Sequence, residues 1–126
     1  MVVCGQVDQS ALDELSTLGP NTVAEFYQER GFASSTLDPN QFPIQPATLP
    51  DLLGSDRTAN AAIVRRILDG DDRGPKRDAV LLNAGAALFV ASRVRSISEG
   101  WELGAEIIDS GKAAAKLTKL VSHAKA

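Results

Sequence analysis

The spacing of apolar positions changes part-way along the chain. Up to about Pro50 they come in short runs, β-branched or aromatic in places and cut by turn residues; from about Asp51 they recur at three- and four-residue intervals. "VVCG", Val2 to Gly5, reads as a short buried strand with Cys4 as a small core residue. After the Gly19-Pro20 turn, Val23, Phe26 and Tyr27 mark a strand over residues 22–28. "ERG" suits a turn, and residues 32–37 return as another strand. "LDPNQFPIQPATLPDL" holds four prolines, each of which fixes φ and removes a backbone donor, so this is an extended surface connection. It leads into a short helical turn over residues 49–53, with Pro50 tolerated in the first turn.

The second half reads as helical. Residues 56–69 form a helix with Ala59, Ile63 and Ile67 on one stripe, Ser55 or Asp56 as the N-terminal cap and Gly70 past the end. Residues 76–92 follow Gly74-Pro75 and are apolar nearly all round, so this helix belongs at the centre of the core. Residues 97–123 supply a long helix, or two nearly coaxial ones broken at Ser110-Gly111, capped by Ser96 or Ser98. Acids come first (Glu99, Glu102, Glu106, Asp109) and bases last (Lys112, Lys116, Lys119, Lys125), complementing the helix dipole. Gly100, Gly104, Ile107 and Gly111 share a face that a neighbouring helix can approach closely.

Composition narrows the class. The 126 residues make one domain, and 44% hydrophobic with 23% charged residues is a soluble, globular balance. A net charge of −3 without a basic cluster argues against nucleic acid. A single cysteine excludes an internal disulfide and fits a cytoplasmic setting. The longest apolar run, Ala79 to Ala91, is shorter than the roughly 20 residues of a membrane span.

Little of the usual catalytic chemistry is available. His123, the sole histidine, sits near the C-terminus and reads as a solvated side chain. One cysteine and one histidine cannot build a zinc site or a nucleophile–histidine pair. No glycine-rich phosphate loop is present. Asn83, in the apolar helix, is a buried amide expected to bond a nearby backbone and fix a loop. Asp78 can cap the helix or pair with Arg77 or another base, and Trp101 belongs in the core. That leaves the adjacent carboxylates Asp13 and Glu14 in "ALDELSTLGP". They read either as the solvated start of a helix or as ligands for Mg²⁺, which takes one or two carboxylates and completes its shell with water and phosphate oxygens.

The order of segments is more specific. "LDELS", "ANAAIVRRILDG", "RDAVLLNAGAALFVA" and "EGWELGAEIIDSGKAAAKL" follow one another as in the C-terminal part of anthranilate phosphoribosyltransferases, and the chain resembles that family from Met1 to about Leu120. The resemblance implies an α/β class, this portion being α+β in isolation: a few strands packed with several C-terminal helices. It implies transfer of a phosphoribosyl group from phosphoribosyl diphosphate (PRPP) to anthranilate in tryptophan biosynthesis, with Asp13 and Glu14 as Mg²⁺ ligands. Cys4 stands where the family has histidine, Ala11 replaces a glycine, and the segment from Gly5 to Leu12 is longer than the family's. The family's N-terminal portion, with its phosphate loop, has no counterpart here. The expectation is therefore a C-terminal fragment, inactive alone, whose exposed face meets the missing half or a second copy. The alternatives are a fragment of a pyrimidine-nucleoside phosphorylase-like enzyme and a non-enzymatic binding or regulatory fragment.

Overall fold

The computed structural model describes residues 1–27 and 31–124. Gln28, the expected end of a strand, the Glu29-Arg30 turn and Lys125 lie outside the described residues. One antiparallel sheet has the strand order β2-β1-β3-β4, with β1 at Val2–Val7, β2 at Ser10–Leu12, β3 at Asn21–Tyr27 and β4 at Gly31–Leu37. Strand β1 runs beyond the expected Gly5 and turns directly into β2, a strand the sequence pattern does not predict. Val7 pairs with Ser10, so the turn is Asp8-Gln9, and Asp8 takes φ +52°, a left-handed conformation that aspartate tolerates. The longer segment from Gly5 to Leu12 is thus a β-hairpin.

Strand alternation decides which side chains enter the core. Val3, Gly5, Val7 and Val23 face inward, while Val2, Cys4 and Phe26 face out. Cys4 is exposed, which corrects its expected place in the core. A four-residue apolar run carries no alternation by which to tell its two faces apart.

A 3-10 turn at Pro39–Gln41 and an extended stretch lead to helix α1, Leu49–Leu52. Four longer helices follow: α2 at Arg57–Leu68, α3 at Pro75–Val90, α4 at Ile97–Asp109 and α5 at Lys112–Ala124. Asp56 caps α2 by accepting from the Thr58 and Ala59 amides, and Ser96 caps α4 by accepting from Glu99. The region expected as residues 97–123 is two helices, and Gly111 at φ +75° makes the break.

Helices α3 and α4 meet backbone to backbone. A Cβ on Gly100 would lie 2.5 Å from the Gly85 carbonyl oxygen and 2.7 Å from its Cα, and one on Gly85 would lie 2.8 Å from the Ile97 carbonyl. The close approach read from the glycine face therefore occurs at Gly100. At Gly104 the neighbour is the Leu81 side chain, whereas Gly111 serves the helix break. The core joins Val23 of the sheet and Leu15 of a loop to Ile67, Leu81, Leu82, Ala86, Trp101 and Ile108 of the helices. Trp101 packs against Phe42, ring centroids 5.6 Å apart. Asp109, at the unfavourable end of the α4 dipole, is matched by Arg77 at 2.9 Å and Arg73 at 3.0 Å. Asp78 neither caps nor pairs with Arg77; its carboxylate accepts from the Gln45 backbone and side-chain amides, tying the proline-rich stretch to α3.

Two outcomes follow. Substituting alanine at Gly100 forces α3 and α4 apart where only backbone can give way, and a loss of about 1–3 kcal/mol is expected in urea denaturation. At α1, the backbone amide of Thr48 and then its hydroxyl donate to Asp51, with nearby Lys76 adding to the effect, so the Asp51 carboxyl is held below its ordinary value of 3.8. A depressed folded-state value stabilises above the unfolded value and is lost as pH falls through the folded one. Acidification below the ordinary carboxylate range should therefore release this cap, seen as loss of the Thr48 amide's protection from exchange, and Asp51→Asn should remove that pH dependence.

Candidate functional site

Asp13 and Glu14 follow β2 directly, in a bend rather than in the first turn of a helix, and both side chains are exposed. What fixes them is the backbone on either side. Gly5 donates its amide to the Glu14 carbonyl at 2.9 Å. A Cβ at Gly5 would lie 2.6 Å from that oxygen and from the Ser16 nitrogen, so only glycine lets the loop lie this close to β1.

Two asparagines, Asn21 buried and Asn83 half-buried, hold the next residues. Asn83 of α3 accepts from the Leu15 amide through Oδ1 and donates to the Leu15 carbonyl through Nδ2, both at 2.9 Å. Its second Nδ2 hydrogen goes to the Ala79 carbonyl at 3.0 Å. Asn21 at the start of β3 does the same for Ser16, accepting from its amide at 2.6 Å and donating to its carbonyl at 3.0 Å. Asn21 also reaches the Gly19 and Leu37 carbonyls, both at 3.3 Å. Each side-chain amide stands in for a neighbouring strand: Asn21 is 0% exposed, while Asn83, expected to be buried, is half-buried and bonds the backbone of Leu15, which is 2% exposed. The expectation that Asn83 is an amide that fixes a loop describes this contact, and the loop is the one that carries the acidic pair. Asn21 was missed because asparagine after Gly-Pro reads as a turn residue.

The carboxylates themselves are uncommitted. No hydrogen bond or ion pair among the described residues engages the Asp13 or Glu14 carboxylate. Glu14 borders an open depression of about 340 Å³ between α1, α2 and α3, lined by Leu52, Asn60, Ile63, Val64, Lys76 and Val80 among others. The Lys76 ammonium in it bonds the Asp51 carbonyl. Among the described residues no group of three or more histidine, cysteine, aspartate or glutamate side chains gathers as a metal site. The donor set therefore suits a hard cation only if water and phosphate oxygens complete its shell, which is how Mg²⁺ is ordinarily held. His123 is exposed at the end of α5, with Nδ1 2.8 Å from the Lys119 carbonyl, far along the chain from this loop. No described helix is long and apolar enough to cross a membrane.

Residues 2–114 match the profile of the glycosyl transferase family, a/b domain. The chain belongs to that family. Among curated members, the anthranilate phosphoribosyltransferase of Lacticaseibacillus paracasei is 45% identical over 122 residues, 97% of this chain and 34% of that enzyme. The enzyme of the same name from Caulobacter vibrioides is 44% identical over 92% of this chain and 33% of its own length. Among solved structures, the anthranilate phosphoribosyltransferase of Thermus thermophilus superposes with a TM-score of 0.79 at 37% identity, covering 91% of this chain and 33% of that one. The Saccharomyces cerevisiae enzyme, solved with 4-fluoroanthranilate, gives the same TM-score at 26% identity. The chain spans about a third of the length of the glycosyl transferase family members it matches.

Truncating Asn83 to alanine leaves both Leu15 backbone groups buried without partners. At about 1–3 kcal/mol for each orphaned group, a loss in the lower part of the summed range, roughly 2–4 kcal/mol, is expected because the contact is only half-buried. Alanine at Asp13 or Glu14, both exposed, should move stability by less than about 0.5 kcal/mol. Denaturant melts of the three variants check the contrast.

Proposed function

We propose that this segment is the C-terminal, diphosphate-facing part of an anthranilate phosphoribosyltransferase, working in the cytoplasm in tryptophan biosynthesis. One observation carries the reading: enzymes of that name match nearly the whole chain, 97% of it at 45% identity. In the reaction the anthranilate nitrogen bonds to ribose C1 of PRPP. The bond from C1 to the diphosphate oxygen breaks with its electron pair, and the amine gives up a proton.

Asp13 and Glu14 are the residues that would hold Mg²⁺, which would supply charge neutralisation for the departing diphosphate. The chain's own contribution is presentation. Gly5, Asn21 and Asn83 fix the backbone that carries both carboxylates, so little ordering remains to be done when cation and diphosphate arrive. The remaining contacts to PRPP and the whole anthranilate pocket belong to the part of the enzyme outside this segment. The segment alone is inactive.

The test is reconstitution with the remaining portion of the Lacticaseibacillus paracasei enzyme, following PRPP-dependent loss of anthranilate fluorescence. The mixture is expected to turn over and the isolated chain is not. Asp13→Asn with Glu14→Gln should raise the Mg²⁺ needed for half-maximal rate by at least the roughly 10–100-fold that even outer-shell changes cost. Direct Mn²⁺ titration of the mixture, read by electron spin resonance, should show the same weakening. An unchanged metal dependence in both would remove the pair from the site.

A further inference from the structure

We infer that an apolar stripe running along α4 and α5 is a self-association surface, on which a second copy of this chain packs its α4 against α5 and its α5 against α4. The inference stands independently of the transferase reading. Helices α2, α3 and α4 each bury at least one residue fully, and α5 buries none. The apolar side chains of α5 are nonetheless regularly placed. Ala113, Leu117 and Leu120 share one side of the helix and line an open apolar depression of about 560 Å³ together with Ile107 of α4 and Leu68 of α2. Leu103 continues the stripe one turn back along α4, and Leu120, toward the other end, is 66% exposed.

Charge identifies the occupant. The break at Gly111 puts the acids and the bases on separate helices, so a single helix dipole does not account for their order, and Lys112 opens α5 at the end where a cation is disfavoured. Glu99, Glu102 and Glu106 border the stripe on α4, and Lys112, Lys116 and Lys119 border it on α5, all six exposed. Lys112 lies 3.9 Å from Glu106, while Glu102, Lys116 and Lys119 have no ion pair among the described residues. Read from N- to C-terminus round each helix, the acids and the bases lie on the same hand of their stripes. Flanks of the same hand meet when two helices pack antiparallel. Laying α5 of one copy antiparallel on α4 of another therefore joins stripe to stripe and base to acid, and a twofold axis makes the same contact twice. Pairing α4 with α4, or α5 with α5, sets like charges opposite. An anionic lipid surface would meet the acids of α4 along with the bases of α5.

Sedimentation equilibrium of the chain is expected to show a monomer–dimer equilibrium that weakens as salt is added. Leu120→Glu, at an exposed position, should raise the dimer dissociation constant at least about tenfold and leave the melting of the dilute monomer unchanged. A charge swap separates this contact from any other. Lys116→Glu with Lys119→Glu in one variant, and Glu102→Lys with Glu106→Lys in another, should each weaken self-association by about tenfold or more. Mixed in equal amounts, the two variants should form a heterodimer about as tight as the unaltered dimer, because both contacts across the twofold are then matched. A chain that stays monomeric at every concentration overturns the proposal. A dimer that persists in all three variants lies on another surface and overturns it too, as does a mixture of the two swapped variants that fails to associate. Monomer that binds phosphatidylglycerol vesicles through Lys116 and Lys119 without pairing with itself assigns the stripe to a lipid surface and overturns the occupant.

Discussion

Two side-chain amides hold the molecule together at the loop that carries the acidic pair. The residues from Glu14 to Ser16 run past β1 outside the regular ladder, and Leu15 and Ser16 are buried. Buried backbone without partners is costly, so this arrangement survives only because something supplies the missing hydrogen bonds. Asn83 does so for Leu15 from the helical layer, and Asn21 does so for Ser16 from the sheet. Because the two asparagines come from different layers, the loop is also the seam between them. Leu15 puts its side chain into the common core while its backbone is tied to α3. A shift of α3 against the sheet would break both bonds to Asn83 at once.

The position of α3 is in turn fixed by glycine. Gly85 and Gly100 let α3 and α4 touch through their backbones, which sets their separation more sharply than interlocking side chains would. Asn83 stands two residues before Gly85, so the asparagine that holds the loop is carried on the most tightly seated part of its helix. Trp101, next to Gly100, packs on Phe42 of the proline-rich stretch, and Asp78 takes the backbone amide of Gln45 from the same stretch. The long connection is thereby fastened to both α3 and α4 without regular secondary structure of its own between residues 42 and 48.

Much of this was legible in the sequence wherever a residue type had a single physical explanation. An asparagine in a helix apolar all round has to bond backbone, and it does. Glycines at helical spacing predict a close approach, and Gly100 makes one. What was not legible depended on partners distant in sequence. Asn21 after Gly-Pro is indistinguishable from a turn residue until Ser16 is seen beside it. Cys4 in a run of four cannot be assigned to a face until β3 fixes the register. The hairpin to β2 is too short to leave a pattern, and Ser110-Gly111 leaves one helix or two equally open until Gly111 adopts its left-handed conformation. For the acidic pair, charge alone favoured a helix start; the chain instead places those residues in a bend whose geometry comes from Gly5 and the two asparagines.

That placement bears on why the carboxylates are where they are. Two adjacent acids on a flexible loop would pair with cations from solvent in many geometries, and ordering them on binding would oppose affinity. Here the ordering is done during folding, by Asn21, Asn83 and a glycine that tolerates no side chain. The carboxylates contribute nothing visible to the fold in return, since none of the described contacts uses them. The constraint therefore fixes the backbone of two acids that the described fold leaves facing solvent. Under the proposed function such a pair would supply only part of a Mg²⁺ shell, and the oxygens of water and of a diphosphate would complete it.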